Sequence, residues 1–299
     1  MLKTIQDLIS KAREGEVKTL VVACADDKHV LDAVEKARSQ GIIRPVLVGN
    51  KEIILMLLED LSIDPKYFEI IDLMDHEQAC DYSVKLVSEN DGYVLMKGYV
   101  DTKIILKSVL KSEYGFKTSN RLSHVSLFEV KHYHKLLMMT DGAMNMYPNV
   151  DEKQEIIENG VKVLHRIGIK EPKIGVIAAI EKYNEKMQPT VDAIELIKRQ
   201  KEGKISGCII DGPFALDNAI NKEAAIHKGI DSDVAGDVDM ILMPQIEAGN
   251  IFYKSMMFLA EAKSASIVVG GKRPIVLTSR ADSTESKFYS IALAALAES

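Results

Sequence analysis

Short apolar, β-branched runs alternate along the chain with segments of helical period. Such runs of about five to seven residues predict strands that are buried on both faces. They occupy residues 19–25, 45–49, 92–96, 173–179, 205–210, 239–243, 266–269 and 274–278. Helical periods occupy residues 28–40, 79–90, 151–166, 190–202, 250–262 and 285–298. The alternation predicts an α/β protein with parallel sheets covered by helices on both faces.

The length of 299 residues predicts two domains, because single hydrophobic cores rarely grow much beyond ~250 residues. No stretch of low complexity separates them, so we expect short crossings, the first near His134 and Lys135. A net charge of −6 disfavours a nucleic-acid partner. No apolar run reaches the ~20 residues that cross a membrane, and the first 16 residues lack a secretory apolar core.

The three cysteines are Cys24, Cys80 and Cys208, and none is spaced as a metal or redox pair. We interpret them as reduced structural thiols of a cytoplasmic protein. A catalytic cysteine stays open as an alternative, although no base stands near any of them in sequence.

Polar clusters follow three of the predicted strands. They are Asp211-Gly212-Pro213, residues 244–250 and residues 278–283. Because ligands of open parallel sheets bind at the carboxyl ends of strands, this repetition predicts one ligand site assembled from several strand ends.

The same segments resemble the phosphotransacylase family. The resemblance is carried by DGPFALDNAI, VAGDVDMILMPQIEAGNIFYK and GGKRPIVLTSRADS, within a match from about Leu20 to the C-terminus. The block IEAGN at 246–250, with LSHV at 122–125 and LLMMTDGAMN at 136–145, is more similar to the butyryltransferase branch than to the acetyltransferase branch.

This resemblance implies two doubly wound α/β domains with a cleft between them, on a fold like that of isocitrate and isopropylmalate dehydrogenases. One domain would comprise residues 1–134 plus 273–299, and the other residues 135–272. The Ser279-Arg280 segment would lie in the cleft. The implied reaction converts butyryl-CoA, or a related short or branched acyl-CoA, and phosphate reversibly to acyl phosphate and CoA. CoA is then a substrate, no cofactor or metal is required, and a homodimer or larger homo-oligomer is expected.

Ser279 and Arg280 are the predicted catalytic pair, because hydroxyl, guanidinium and backbone N–H groups would converge there on an anion. An N-cap serine beside an exposed arginine is the structural alternative. The acetyl enzymes carry a thiol-activating Asp six residues after the arginine, where this chain has Ser286. We therefore expect Asp282, or alternatively Glu285, to take the thiol proton.

The remaining predicted site residues are binding residues. Asp141, Asp211, Gly212, Pro213 and Glu247 are expected to line the site, and Gly249 with Asn250 is expected to offer the amino end of a helix beginning at 250 to phosphate. Lys97, Thr102, Lys107 and Lys272 are the candidates for binding CoA. Ordinary turns, caps and solvated charges are the alternatives for each.

Other functions have weaker sequence support. Neither G-x-G-x-x-G nor a P-loop motif occurs, which disfavours nucleotide enzymes. His132 and His134 would share one face of a strand, but no third metal ligand is evident. Four functions stay open beside the butyryltransferase: a phosphate acetyltransferase, an acyl-carrier-protein phosphate acyltransferase, a metal-dependent decarboxylating dehydrogenase using the aspartates of 231–239, and a non-catalytic acyl-CoA-binding module.

Overall fold

The computed structural model describes residues 2–118, 120–279 and 282–298. The chain forms two compact units, which we call the flanking unit (Gln6–Leu122 and Ala265–Ser299) and the central unit (Met1–Ile5 and Ser123–Ser264). The chain passes between units at 122/123 and 264/265, upstream of the crossings expected near 134 and 272.

Strands and helices alternate through most of both units. The strands are β1 Lys18–Ala23, β2 Ile43–Gly49, β3 Glu69–Asp72, β4 Tyr93–Lys97, β5 Ser123–Glu129, β6 Leu137–Thr140, β7 Lys173–Ile177, β8 Ile209–Phe214, β9 Met240–Leu242, β10 Lys263–Val269 and β11 Ile275–Val276. The helices are α1 Ile5–Glu14, α2 Lys28–Ser39, α3 Lys51–Asp60, α4 His76–Glu89, α5 Thr102–Val109, α6 Val150–Arg166, α7 Gln188–Lys201, α8 Leu216–Ile220, α9 Lys222–His227, α10 Ile246–Phe258 and α11 Thr284–Ala297. Short 3₁₀ turns occur at Pro65–Tyr67 and Ser112–Tyr114.

In the flanking unit the strand order is β3-β2-β1-β4-β11-β10. The chain moves from β1 outward to β2 and β3, and then returns to place β4 on the other side of β1. Strands β1 and β4 are parallel, with Ala23 opposite Lys97 at their carboxyl ends. This reversal of strand order creates a switch point, the position where open α/β sheets bind their ligands.

In the central unit the strand order is β5-β6-β9-β7-β8. Its strands are parallel except for the β5–β6 pair, and β10 with β11 is antiparallel in the flanking unit. The α/β class is therefore confirmed, and these two antiparallel pairs interrupt the predicted parallel sheets. The reason is loop length: residues 130–136 and 270–274 are too short to include the crossover that parallel neighbours require.

The helix boundaries follow ordinary capping chemistry. Asn149 caps α6 by accepting from the backbone N–H groups of Asp151 and Glu152, while Glu152 accepts from the N–H of Asn149 at 2.8 Å. Asp27 caps α2 by accepting from the N–H of Val30 at 2.9 Å. Because α2 packs on α11, that cap also fixes the loop after β1 next to the start of α11.

Strand β8 differs from the sequence prediction. The expected strand at 205–210 was to end before Asp211-Gly212-Pro213, but β8 begins at Ile209 and includes all three residues. Gly212 has a φ of +141°, and a Cβ on it would meet the carbonyl oxygen of Val176 at 2.8 Å. A strand can therefore continue through this position because it is glycine.

Two further expectations are wrong. Helix α10 begins at Ile246 instead of 250, because the side chain of Gln245 accepts from the N–H of Ala248 at 3.0 Å and caps the helix earlier. His132 and His134 lie in the turn between β5 and β6, so they do not share a strand face.

Candidate active site

A cavity of about 120 Å³ lies at the switch point of the flanking unit. Its walls come from the segment after β1, the end of β4, the segment after β11 and the second turn of α11. The lining residues are Asp27, Val30, Lys97, Gly98, Tyr99, Thr278, Ser279 and Lys287. The cavity therefore combines two lysines with a serine at the carboxyl ends of parallel strands.

The close approach of the loops after β1 and β4 depends on Gly98. A Cβ at this position would lie 2.0 Å from the carbonyl oxygen of Cys24, which no side chain tolerates. The N–H of Tyr99 donates to that same oxygen at 2.6 Å, and the N–H of Gly98 donates to the carbonyl of Ala23 at 2.8 Å. These bonds fix one wall of the cavity from backbone atoms alone.

Lys97 ends β4 and was predicted as a CoA-binding residue. Its side chain is only 4% exposed, and its Nζ donates to the carbonyl oxygens of Val100 at 3.1 Å and Gly98 at 3.3 Å. Hydrogen bonds of this kind are needed to hold a buried lysine. Lys97 thus places a positive group in the cavity wall, which suits an anionic ligand.

The predicted catalytic segment lies on the opposite wall. The backbone N–H of Ser279 donates to Oδ2 of Asp282 at 2.7 Å, and the N–H of Asp282 donates to the carbonyl of Ser279 at 3.1 Å. These two hydrogen bonds tie Asp282 to Ser279, which lines the cavity. Arg280, the other predicted catalytic residue, lies outside the described residues.

Lys287 is one of the cavity residues that the sequence reasoning missed, together with Asp27, Val30 and Tyr99. It is 4% exposed, and its Nζ donates to the carbonyl of Asp282 at 2.5 Å and contacts that of Ser279 at 3.4 Å. Burial lowers the pKa of this lysine, while the charges of Asp282 and Asp27 act in the opposite direction. A signal was present: Lys287, Ile291 and Ala294 recur at the spacing of one buried helix face.

Glu285 and Ser286 do not line this cavity. Glu285 is exposed and pairs with Lys36 at 3.2 Å. Its pKa is lowered by its own backbone N–H at the helix start and then by Lys36. Ser286 is buried, and its N–H is capped by the hydroxyl of Ser283 at 3.1 Å. Both residues serve the first turn of α11.

The other predicted CoA-binding residues of this unit are dispersed. Thr102 is the first residue of α5, and Lys107 is an exposed residue of its last turn, paired with Glu77 at 3.2 Å. Lys272 precedes β11 whereas Ser279 follows it, so the two lie beyond opposite ends of that strand. The Nζ of Lys272 donates to the carbonyl of Ser88 in the last turn of α4 at 2.6 Å. The structure does not bring Lys272 to the cavity.

In the central unit, Asp141 organises the loop after β6. Its carboxylate accepts from four donors: the N–H of His124 at 3.1 Å, of Ala143 at 2.8 Å and of Met144 at 2.9 Å, and the amide of Asn145 at 2.6 Å. The side chain is 3% exposed. A carboxylate with this many protein donors fixes the conformation of the loop that contains it.

Gly249 brings α10 against this loop. A Cβ on Gly249 would lie 2.3 Å from the carbonyl oxygen of Asp141 and 2.7 Å from the Cα of Gly142. The side-chain amide of Asn250 donates to the carbonyl oxygen of Gly142 at 3.4 Å. Both residues belong to the body of α10, so they do not offer the free N–H groups of a helix start. Their observed contacts join two strand-end segments that are more than 100 residues apart.

Glu247 lies in the first turn of α10 and is exposed. The hydroxyl of Tyr147 donates to its Oε1 at 2.6 Å. That hydrogen bond is the main cause that lowers the pKa of Glu247. The two segments joined by Gly249 are therefore also linked at the surface by a phenol and a carboxylate.

Asp211 lies within β8 opposite Gly175. Its Oδ2 accepts from the hydroxyl of Ser232, and its Oδ1 accepts from the N–H of Gly212 at 2.8 Å. Pro213 follows Gly212 in the strand and is buried. The structure places these three residues in a strand and does not group them with Asp141 or Glu247 by any contact that it records.

A larger cavity of about 730 Å³ in the central unit includes His134, Lys173 and Asp237 in its lining. It lies where β7 begins, at the amino ends of the strands, which is not the edge where such sheets bind ligands. Asp237 accepts from Lys173 at 2.6 Å and from His134 at 2.8 Å. Across residues 2–118, 120–279 and 282–298, no group of three His, Cys, Asp or Glu side chains is arranged to hold a metal ion.

The cysteine thiols are poorly suited to nucleophilic chemistry. Cys24, Cys80 and Cys208 are buried and free. The pKa of Cys24 is raised, first by its hydrogen bond to Cys80 and then by burial. Burial raises the pKa of Cys208 to about 11. Because the thiolate is the reactive form, Cys24 and Cys208 are held in the inactive state near neutral pH.

Comparison with known proteins identifies the class of this protein: it is an acyltransferase that uses phosphate. The model of the phosphate acetyl/butaryl transferase family matches residues 4–92 and 77–295. The chain belongs to this family. No described helix is both long and apolar enough to cross a membrane.

A butyryltransferase and an acetyltransferase are equally similar to the chain in sequence identity. It is 44% identical to the phosphate butyryltransferase of Clostridium acetobutylicum over 99% of this chain and 98% of that protein. It is also 44% identical to the phosphate acetyltransferase of Thermotoga maritima over 98% of this chain and 99% of that one.

A solved structure agrees with this assignment. The branched-chain phosphotransacylase of Enterococcus faecalis V583 superposes with a TM-score of 0.84 at 32% identity, covering 94% of this chain and 99% of its own. The predicted family, fold class and enzyme class are confirmed.

Proposed function

We propose that this phosphate acyltransferase converts butyryl-CoA, or a branched acyl-CoA of similar size, and inorganic phosphate reversibly to acyl phosphate and CoA. The observation that carries the proposal is the switch-point cavity, where Lys97, Lys287 and Ser279 converge within a chain of this family. The preference for four- or five-carbon acyl groups rests on the sequence block that contains Glu247.

The cavity suits an anionic reactant. Phosphate and acyl phosphate carry negative charge, and the Lys97 side chain in a largely buried wall attracts it more strongly than it would in bulk water. Arg280 follows Ser279 directly in the sequence, and a guanidinium binds phosphate oxygens in a bidentate way. We assign the phosphate group to this cavity.

The reaction proceeds by direct transfer. In the direction of CoA acylation, the thiolate attacks the acyl phosphate carbonyl, an oxyanion forms, and phosphate leaves as the carbonyl is restored. Ser279 donates its hydroxyl to the oxyanion, and Arg280 neutralises the charge on the departing phosphate. Holding both reactants in one site removes most of the entropic cost of their encounter.

In the central unit, the Asp141 loop and the first turns of α10 form the candidate acyl and CoA surface. Tyr147 and Glu247 present a polar, charged edge, and the contact of Gly249 with Gly142 holds the two segments together. Thr102 and Lys107 remain candidates for CoA phosphates. Asp211, Gly212, Pro213 and Lys272 have less support, because they lie within a strand or at the far sheet edge.

We also propose a cytoplasmic enzyme that works as a homodimer or larger homo-oligomer. The free buried cysteines suit a reducing compartment. Analytical ultracentrifugation of the purified protein measures the oligomeric state, and a monomer at micromolar concentration would contradict that part of the proposal.

The experiment for the proposed activity compares initial rates with acetyl-, butyryl- and isobutyryl-CoA at saturating phosphate, by following thiol release. We expect phosphate-dependent release with the highest kcat/KM for a four-carbon substrate. A higher kcat/KM for acetyl-CoA would make the enzyme a phosphate acetyltransferase.

Two controls distinguish the proposed acyltransferase from a dehydrogenase and from a binding module. Activity that EDTA leaves unchanged excludes a metal-dependent dehydrogenase. Tight butyryl-CoA binding in calorimetry without thiol release, at any phosphate concentration, would identify a non-catalytic binding module.

A further inference from the structure

The transfer of an acyl group to CoA requires that the thiol lose its proton, and the segment that follows Ser279 offers Asp282, Glu285 and Lys287 as candidates. Glu285 is exposed, paired with Lys36, and does not line the cavity. Asp282 uses Oδ2 to accept from the N–H of Ser279 at 2.7 Å, so its carboxylate already has a backbone partner. Lys287 lines the cavity itself.

We propose that Lys287 is the proton acceptor for the CoA thiol and, in the reverse direction, the proton donor to the leaving thiolate. The proposal rests on the proposed acyltransferase function. Its basis is position: Lys287 reaches the cavity from α11, directly beside Ser279, while it remains shielded from solvent.

The hydrogen bonds of Lys287 leave its reactive position available. Its Nζ contacts the carbonyl oxygens of Asp282 and Ser279. A neutral amine has two N–H donors and one lone pair. If both donors are used by those carbonyls, the lone pair is the remaining position of the nitrogen. The two backbone contacts therefore orient the amine without consuming its basic site.

The surroundings of Lys287 favour the neutral, basic form of its amine. Burial lowers the pKa of Lys287, and the carboxylates of Asp282 and Asp27 moderate that shift. Lys97, from the end of β4, and Tyr99 line the same cavity.

Among the described residues, further charged or titratable groups belong to α2 and to the first turn of α11. They are His29, whose ring contacts Thr284 at 3.4 Å, and the exposed pair of Lys36 with Glu285. None of these three lines the cavity. Binding of an anion near Lys97 would raise the proton affinity of Lys287, as expected of a group that accepts a proton after substrates assemble.

The proton balance is complete. In the direction of CoA acylation, the thiol proton moves to the Lys287 amine, the sulfur forms its bond to the acyl carbon, and the carbon–oxygen bond to phosphate breaks. The ammonium then returns its proton to the leaving phosphate. In the reverse direction phosphate gives up the proton, and Lys287 delivers it to the sulfur as the thioester bond breaks. No oxidant, metal or second base is required.

The decisive variant is Lys287→Arg. Arginine can donate to the two carbonyls, but it carries a permanent positive charge and does not lose its proton in the working range of pH. We expect kcat/KM for CoA acylation at pH 7 to fall by about 10²- to 10⁴-fold, the usual contribution of a general base. If Lys287 had only a structural role, the Lys287→Arg variant would retain nearly wild-type activity. That result would overturn the proposal.

The pH profile gives a second readout. In wild type the rate of CoA acylation should rise with the deprotonation of Lys287 and then level. In Lys287→Arg the rate should instead follow ionisation of the free thiol, at about pH 8.5. The deficit of the variant should therefore shrink as pH rises. A deficit that is constant at every pH would assign Lys287 to positioning and would contradict the proposal.

Chemical rescue and controls complete the test. In Lys287→Ala, added ethylamine should restore part of the activity, and the absence of rescue with a folded variant would argue against a proton-transfer role. Lys18→Met is the matched control: Lys18 is also buried in the flanking unit, but it begins β1 and pairs with Glu16 at the other sheet edge. It should keep wild-type activity.

These experiments distinguish a failure of the proposed function from a failure of the proposed role of Lys287. An inactive wild-type enzyme overturns the proposed function and this proposal together. An active wild type with an equally active Lys287→Arg variant overturns only the role of Lys287. Melting temperatures of all variants identify any loss that comes from unfolding.

Discussion

The backbone N–H of Ser279 donates to Oδ2 of Asp282 across 2.7 Å, and Ser279 lines the switch-point cavity. This contact bears on the predicted role of Asp282 as the base. A carboxylate three residues from Ser279 is a natural candidate for a base, but the observed hydrogen bond favours a role for Asp282 in positioning Ser279.

Asp282→Asn should therefore retain most of the activity, because its carbonyl oxygen can still accept from Ser279. Asp282→Ala removes the acceptor, and we expect kcat/KM to fall by about tenfold or more through loss of alignment. Steady-state kinetics from pH 6 to pH 9 check this. If the Asn variant is as impaired as the Ala variant, with the deficit largest at low pH, Asp282 is the base and Lys287 is not.

Arg280→Ala should lower kcat/KM by about 10²- to 10³-fold, the scale of losing one preorganised electrostatic group. Arg280→Lys should recover little, since a point charge does not reproduce the bidentate guanidinium. The measurement is kcat/KM at varied phosphate, with Arg44→Ala as a control on the exposed side of β2. Near-normal turnover by Arg280→Ala would place the phosphate elsewhere.

Gly249→Ala should destabilise the protein by about 1–3 kcal/mol, the usual cost of overpacking. The added Cβ would meet the backbone oxygen of Asp141 at 2.3 Å, and a backbone atom in the Asp141 loop cannot move without disturbing that loop. Urea denaturation measures the loss. Gly15→Ala is the control, because its Cβ would make only ordinary contacts, the nearest at 3.5 Å. Equal stability of the two variants would mean that α10 shifts freely.

The stability of the central unit should depend on Asp237 in a pH-specific way. Burial tends to raise the pKa of Asp237, but hydrogen bonds from Lys173, Lys135 and His134 outweigh it and hold the pKa below its ordinary value. Because the pKa of Asp237 is lower in the folded protein than its unfolded value of about 3.9, its ionised form stabilises the fold at pH values above about 3.9. This stabilisation is lost as the pH falls toward the pKa of the folded state.

Asp237→Asn should accordingly lower the melting temperature most above about pH 5, and the difference from wild type should narrow as the pH falls toward about 2. Thermal melts across this range check the sign. A gap that widens on acidification would show that the ion pairs of Asp237 do not stabilise the folded state.

Much of the fold was predictable because it depends on local pattern. The strands around 19–25, 45–49 and 92–96 were found from continuous apolar runs, and the helices around 28–40 and 151–166 from their period and caps. Strand β3 escaped this reasoning because it is partly exposed and short. Strand β8 was placed too early because Gly212 and Pro213 ordinarily end strands, whereas here Gly212 permits a close backbone approach that no window of sequence reveals.

The sequence by itself determined the family, the α/β class and the candidate segment at Ser279, because those depend on residue types at fixed spacing. Only the tertiary structure decided which side chains share the cavity with Ser279. Lys97 and Lys287 are 190 residues apart, and they meet because β4 and β11 are neighbours in one sheet and α11 follows β11. Such a meeting depends on strand order, which local periodicity does not encode, so the lysine now proposed as the proton acceptor was visible in the sequence only as one more residue on a buried helix face.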